Sequence, residues 1–484
     1  MLALLSIMPA VAAANHPHPA RSLVGRWTAP PLLPPLPSFS DGPYAGNGDL
    51  GVTLGGPPQR AVQYVAMKSF WTGAFFESPP NLQRRWGMLL AASVVWDAPA
   101  LKGARYGATQ ELWSGRMNQT LGGGFQSSTF VGQADGGQGG NFYVTEFGVT
   151  AGGGGAKALP LPLRILIRPG NPDVSMKQNY NPGTTSGGTE YVNLLTLVLM
   201  LLCLTLMLVL LVLVLTPSFA GSDDGVVWTA RNNTNITGDA SNPYTNDTFA
   251  FTKLTMGLAA RISSADGGHD PVVTRANSGK TGTHTLSMTL QPGRRYALTV
   301  WVACREWGNG DAVGEARANL KKVSSSAGRA AARATADAWW ERHWATTPVV
   351  KHFSAEAEQY YYGTLYTMAS SKRAGTVGID RQGPFMTQDN AIWYIRIVPQ
   401  AIPAVHPAVI RPYICNNYNL QAPYYGMLAA NMSWTLPPML NRVMESVPLF
   451  KSRARKLLVN VVAPKHGKVH KDRSCALLKS SLYC

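Results

Sequence analysis

Between residues 24 and 303 apolar side chains recur at alternate positions in short runs, and glycine, proline, asparagine and aspartate separate one run from the next. Residues 143–149, 163–167, 284–290 and 296–302 are clear examples. A period of two places successive side chains on opposite faces of an extended chain, and the separating residues are those that turn it. The pattern predicts antiparallel strands stacked as a large β-sandwich.

From Ala316 the texture changes to alanine, arginine, lysine and tryptophan, with no proline before Pro348, which predicts helix up to that proline and a helical linker over 316–350. Ser354 then caps a second helix over 355–371, on which Tyr361, Leu365 and Met368 share a face by i, i+4, i+7 spacing. The chain has 484 residues, 45% of them apolar, enough to bury at least two cores. Two or three domains are expected.

The formal net charge is +17, but the excess is spread along the chain and becomes dense only after Lys451. No nucleic-acid-binding module accompanies it, so a nucleic-acid partner is not expected. Cys203, Cys304, Cys415, Cys475 and Cys484 are odd in number and widely spaced, and define neither a disulfide framework nor a zinc pattern. His466 and His470 stand four apart near Cys475 in a basic segment without a second ligand pair, so no metal site is expected there. The basic stretch after Lys451, with a divergent tail over 461–484, reads as solvated.

Residues 1–14 have a short apolar core followed by small residues and read as a secretory signal, without the usual basic start. Asn-x-Ser/Thr tripeptides at Asn118, Asn232, Asn235, Asn246 and Asn431 fit passage through the secretory pathway. The expected location is therefore secreted or cell-surface. Residues 194–215 are uncharged and consist almost wholly of leucine, valine, methionine and threonine, long enough to span a bilayer. Three readings stay open: a translated simple repeat from a retained intron, a membrane span, or a buried helix. A membrane contact is expected only under the second.

Gly46-Asn47-Gly48-Asp49-Leu50-Gly51 fits the G-x-G-x-x-G letters of a dinucleotide site. A proline-rich stretch precedes it where a strand is required, and glycines and prolines follow where a helix is required, so a glycine-rich β-turn is expected. No organic cofactor is expected.

The run 42–74 that contains this turn resembles the opening of the sandwich domain of glycoside hydrolase family 95, the α-L-fucosidases, in which a G-N-G-x-L-G turn precedes strands ending in Trp-x-Gly. Two later stretches resemble the same family and its six-hairpin relatives: Ala338-Trp339-Trp340-Glu341-Arg342-His343-Trp344, and the N-x-N-x-Q run within 417–425. Residues 383–393 are similar to the run that introduces the active-site face in this group. The resemblance implies a multidomain β plus α fold: an N-terminal β-supersandwich (24–303, interrupted by 194–215), the helical linker, and the start of an (α/α)6 barrel over 354–460 that is cut short.

The activity implied is hydrolysis of a terminal α-linked L-fucose or related sugar with inversion, on a glycan substrate. Asn417 and Asn419 occupy the positions that hold and polarise the attacking water in the family; Asp389, Trp393 and Gln421 are candidates to bind the sugar. Amide oxygens orient water but have almost no basicity, so a downstream Asp must tune them and a separate Glu must serve as acid. Neither has a place in this chain, which makes catalysis by the chain as written doubtful. A second, less favoured reading makes Asn417 and Asn419 polar residues at a helix end, whereas for Asp389 and Trp393 a structural role is as good a reading as sugar binding. Glu341 reads as a solvated charge, with the neighbouring tryptophans and His343 packing the sandwich against the barrel. Two other functional classes remain open, a non-catalytic carbohydrate-binding protein and a membrane-anchored surface protein.

Overall fold

The computed structural model describes residues 18–32, 41–72, 75–76, 83–84, 87–133, 140–151, 160–171, 226–232, 254–278, 283–306, 310–351, 354–373, 376, 383–388, 422–441, 444, 447 and 451. The expected leader, the apolar run 194–215 and the tail 461–484 lie outside them. Among the described residues no helix is long and apolar enough to cross a membrane.

Two sheets face each other. One has eight strands in the order Val24–Trp27, Tyr106–Glu111, Arg116–Leu121, Phe125–Val131, Phe142–Val149, Arg295–Glu306, Leu254–Ser264, Val226–Asn232. The other has seven, in the order Thr274–Ser278, Thr283–Leu290, Leu161–Pro169, Gly87–Asp97, Arg60–Thr72, Leu50–Gly55, Tyr44–Gly46. The ladders joining these strands are antiparallel throughout. This is the β-sandwich that the period-two pattern predicts.

Alternation along the strands explains the stacking. In Leu161–Pro169, Leu161, Leu163, Ile165 and Ile167 enter the core between the sheets, whereas Arg164 and Arg168 do not. Thr283–Leu290 does the same with Leu286, Met288 and Leu290. Trp96 meets Phe147 edge-on at 4.8 Å across the gap, a geometry that suits the ring quadrupoles. Polar residues that enter this core pair with one another: Gln63 Nε2 donates to Thr145 Oγ1 at 2.8 Å, joining the two sheets, and the Thr145 and Thr129 hydroxyls meet at 2.9 Å.

After the sandwich the described residues include the α-helices α1 (Ala312–Val323), α2 (Ser326–Thr346) and α3 (Ala355–Ser371). The single helix expected up to Pro348 is thus two. Ser325 stops the run by capping α2, its Oγ accepting from Gly328 N at 3.0 Å. Arg329 then ties the junction to the sheet: its guanidinium is buried and donates to Ser263 Oγ at 2.6 Å and to the carbonyls of Ser264 and Ser324. Ala312, Ala316 and Leu320 of α1 pack on Ala259 and Ala303 of the eight-stranded sheet, and Ala336 of α2 on Phe130, Phe142 and Val144.

α3 begins where the sequence places it, with Ser354 Oγ accepting from Ala357 N at 3.2 Å. Of the expected face Leu365 and Met368 are buried and Tyr361 is half-buried. The buried stripe is wider than the sequence suggests and also takes in Tyr362, Tyr366 and Ala369, because the i, i+3, i+4, i+7 row that starts at 362 joins the cluster with Trp340 and Trp344 of α2. A ring of helical hairpins is not present among the described residues; in the expected barrel segment they show α3, short helical turns at Ala422–Tyr424 and Ser433–Thr435, and α-helical residues 437–441, 444, 447 and 451.

Candidate functional site

The glycine-rich turn is the tip of a hairpin in which Tyr44–Gly46 pairs with Leu50–Gly55, Gly46 opposite Gly51. Asn47 closes the tip: its Oδ1 accepts from Asp49 N at 3.1 Å and Leu50 N at 2.9 Å. Its Nδ2 donates to the Gly132 and Gly140 carbonyls at 2.8 and 3.1 Å. Gly48 has φ +89°, a backbone state that L side chains rarely adopt.

Each glycine also has a neighbour that a Cβ would strike. At Gly46 it would lie 2.6 Å from the Ser370 carbonyl oxygen, at Gly48 2.3 Å from the Lys372 carbonyl carbon, and at Gly51 1.9 Å from the Pro384 carbonyl oxygen. The Gly48 amide donates to Ser370 O at 2.8 Å. The fingerprint letters therefore record the close approach of a hairpin to the end of α3 and to residues 383–388. A dinucleotide phosphate has no place there.

Around this contact the chain gathers buried polar groups from both halves of the molecule. Asp49 Oδ2 accepts from Asn141 Nδ2 at 2.9 Å and from Arg373 at 3.3 Å, and Arg373 also donates to Asn141 Oδ1 at 3.0 Å. Burial lowers the Arg373 pKa and Asp49 opposes the shift. Lys68 extends from the seven-stranded sheet and donates to the Ser371 carbonyl at 3.0 Å.

Lys372, 1% exposed, places Nζ 3.4 Å from the centre of the Tyr424 ring. Burial, then repulsion from Lys68, pushes this amine down to about 6. The ring face opposes that shift, because it favours the protonated amine through a cation–π contact.

Residues 383–388 are buried along their length. Phe385 sits 4.3 Å from Tyr44, and Met386 packs with Val62, Tyr64, Ala66, Leu90 and Val95, a cluster of the seven-stranded sheet apart from the core between the sheets. The Thr387 carbonyl accepts from Asn171 Nδ2 at 2.8 Å. Tyr366 OH donates to the Tyr44 carbonyl at 2.9 Å, so α3 and the hairpin are fastened directly.

The Trp-rich run of α2 fastens the same halves. Trp344 Nε1 donates to the Leu112 carbonyl at 3.1 Å, and Trp340 lies against Gly115 while stacking on Tyr366 at 4.9 Å. His343 is buried with them, whereas Glu341 is exposed.

Asp389, Trp393, Asn417, Asn419 and Gln421 all lie outside the described residues. Their described neighbours are informative. Residues 383–388 and Tyr424 border them on either side, and both meet the Ser370–Arg373 end of α3, the first through Gly383 beside Ser371 and the second under Lys372.

Sequence reasoning missed most of this seam: Asn141, Lys68, Ser370, Ser371, Lys372, Arg373 and Tyr424. The available signals were a lysine inside the apolar strand run around Met67 and Phe70, and two adjacent cations directly after an apolar helix end. Asp49 is the one carboxylate in this cluster among the described residues, and its contacts make it a fastener. Among the described residues no group of three or more His, Cys, Asp or Glu could hold a metal ion.

No family model and no curated protein matches the chain. Solved structures do. A candidate kojibiose phosphorylase from the human microbiome matches over 72% of this chain and 46% of its own length, at 8% identity and a TM-score of 0.39. A family GH92 inverting mannosidase from Bacteroides thetaiotaomicron matches over 70% and 37%, at 9% identity and a TM-score of 0.31. A second family GH92 α-mannosidase from that organism matches over 67% and 39%, at 8% identity and a TM-score of 0.26. The chain thus spans less than half the length of these proteins. Scores this low do not establish a shared fold, so the chain's own residues must carry the chemistry.

Proposed function

We propose that the chain is a carbohydrate-active protein of the glycoside hydrolase kind, related to the family 95 α-L-fucosidases, whose reaction is hydrolysis of a terminal α-linked L-fucose or related sugar with inversion, and that as written it lacks the groups for full turnover. In this reading Asn417 and Asn419 orient the attacking water, and Asp389, Trp393 and Gln421 bind the sugar. The acid and the activating Asp are assigned to no residue of this chain, and the protein is taken to be exported.

The observation that supports the reading is the anchoring of residues 383–388 and Tyr424 at one place, the end of α3 beside the 46–51 turn. Residues 389 and 421 each lie within a few positions of an anchored stretch. Segments separate in sequence are thereby brought to one seam between a rigid sandwich and the helices, the kind of scaffold on which binding groups are held. The buried Asp49, Asn141 and Arg373 network stiffens that seam.

The test is turnover of aryl α-L-fucosides and aryl α-D-mannosides by the full chain, with the anomer of the released sugar followed by NMR. With no acid assigned, the reading predicts fucoside turnover that is absent or far below that of a complete enzyme; where turnover is seen it proceeds with inversion and is lost by about a hundredfold or more in Asn417→Ala and Asn419→Ala, the usual scale for removing a group that positions a reactant. Turnover with retention, or turnover unaffected by both substitutions, would overturn it. Sugar binding that is unaffected by Asp389→Ala and Trp393→Ala would replace it with the non-catalytic carbohydrate-binding reading.

A further inference from the structure

The start of the described chain is held in an aromatic cage. The His18 ring stands 5.6 Å from Trp113, 5.5 Å from Trp344 and 5.3 Å from Tyr362. Its Nδ1 accepts from Ala20 N at 3.1 Å, and its Nε2 is buried with no hydrogen-bond partner. On the other side of Trp344 a second imidazole, His343, lies 4.6 Å away, stacked on Trp339 at 5.7 Å, and its Nε2 is also buried without a partner.

His18 heads the short turn Pro19–Arg21, whose Ala20 is buried among the aromatic residues of α2 and α3 and whose Arg21 lies 3.9 Å over Trp113. The chain then becomes Val24–Trp27, the edge strand of the eight-stranded sheet, with Leu112 N donating to Leu23 O at 3.4 Å. Residues 18–23 therefore bridge the sheet edge and the two helices.

The charges acting on the two imidazoles are of one sign. Arg21 and Lys351 act on His18, and His18 acts on His343. Tyr362 contributes a hydroxyl that donates to the Val350 carbonyl at 2.9 Å, and Glu358 and Tyr361 act on Tyr362. Trp340 and Trp434 complete the surroundings of His343. Among the described residues no carboxylate acts directly on either imidazole.

We propose that residues 18–23 are an acid-released strap: protonation of His18, followed by His343, expels the turn from the aromatic cage and detaches the sheet edge from α2 and α3 while the sandwich stays folded. An imidazolium in this cage would carry a second N–H with no acceptor and would stand beside Arg21 and Lys351.

Burial, then Arg21 and Lys351, holds docked His18 down at about 4, and burial, then His18, holds His343 down at about 3. A released histidine titrates at its ordinary value of about 6.5. Between those values the released form takes up protons and the docked form does not, so docking is at full strength above about pH 6.5 and weakens as the pH falls toward about 4.

Hydrogen exchange on the full chain, corrected for the intrinsic pH dependence of exchange, tests this by comparing residues 18–27 with the ladder of Leu161–Pro169 and Thr283–Leu290. That ladder contains His284, which burial holds at about 4 and which reports acid weakening of the sandwich itself. The expected result is loss of protection in 18–27 by at least about tenfold between about pH 7 and about pH 4.5, with the ladder still protected. His18→Phe and His18→Gln, one filling the cage and one neutral and polar, should each keep the strap protected at the lower pH. Protection independent of pH, loss of strap and ladder together, or the same loss in both variants would each overturn the proposal.

Discussion

Trp344 on α2 donates its indole N–H to the backbone carbonyl of Leu112 at 3.1 Å, and this bond crosses from the helices to the end of a sandwich strand. Trp344 is fully buried, and its ring also meets Trp340 at 6.1 Å and Tyr362 at 6.2 Å. Truncation removes a large packed ring and leaves the Leu112 carbonyl short of a donor. Trp344→Ala should cost about 3–5 kcal/mol in urea unfolding, and Trp344→Phe clearly less. Equal losses in the two would show that the hydrogen bond, and not the packing, holds the helices on.

Gly48 and Gly103 both have positive φ, +89° and +74°, but only Gly48 has a neighbour in the way. Around Gly103 there is nothing within 4 Å of an added Cβ. Gly103→Ala should therefore cost only the backbone term, about 1 kcal/mol. Gly48→Ala must in addition push the hairpin away from Lys372 and Arg373, and should cost several times more. Comparable midpoints for the two variants would contradict the close approach.

The Asp49 and Arg373 side chains are 9% and 14% exposed, so their ion pair is shielded from solvent. Removing one partner leaves the other charge buried, at a cost of about 3–5 kcal/mol, whereas removing both leaves no orphan. Asp49→Asn and Arg373→Met should each destabilise strongly and the double variant should recover part of the loss. Strict additivity in a double-mutant cycle would rule out a direct coupling.

Lys372 makes stability depend on pH in the alkaline direction. Its amine sits at about 6 in the fold and at its ordinary value near 10.5 in the unfolded chain, so between these values the unfolded state binds the extra proton. Stability should rise with pH across that window, and the deficit should be complete below about pH 6. Lys372→Met should be more stable than the parent at neutral pH and show a flatter rise toward high pH in urea midpoints. An unchanged slope would mean that the amine stays protonated over Tyr424.

Much of the sandwich could be read from the sequence because its strands are covered on one face by the opposing sheet, which imposes strict alternation, as in Leu161–Pro169 and Thr283–Leu290. The start of α3 was legible for a local reason, a serine cap whose bond is made within three residues. The break between α1 and α2 was not read, although Ser325 carries the same signal, because alanine-rich flanks continue the helical pattern across it.

The seam was the least legible part. Asp49, Asn141 and Arg373 lie far apart in the chain and meet only through tertiary packing, so no window of sequence contains their relationship. The G-N-G-D-L-G letters point to a tight backbone approach without saying what approaches. The partner proved to be the end of α3 and Pro384. The five residues carried by the family resemblance lie outside the described residues, and their roles rest on the proposal.

The most direct measurement of the central claim is hydrogen exchange of the full chain with and without saturating L-fucose or an L-fucosylated oligosaccharide. A sugar bound beside the seam should slow exchange in residues 370–373, 383–388 and 422–432 and leave the Leu161–Pro169 ladder unchanged. Absence of any change in those three stretches, or protection confined to the far sheet, would contradict a sugar site at the junction of sandwich and helices.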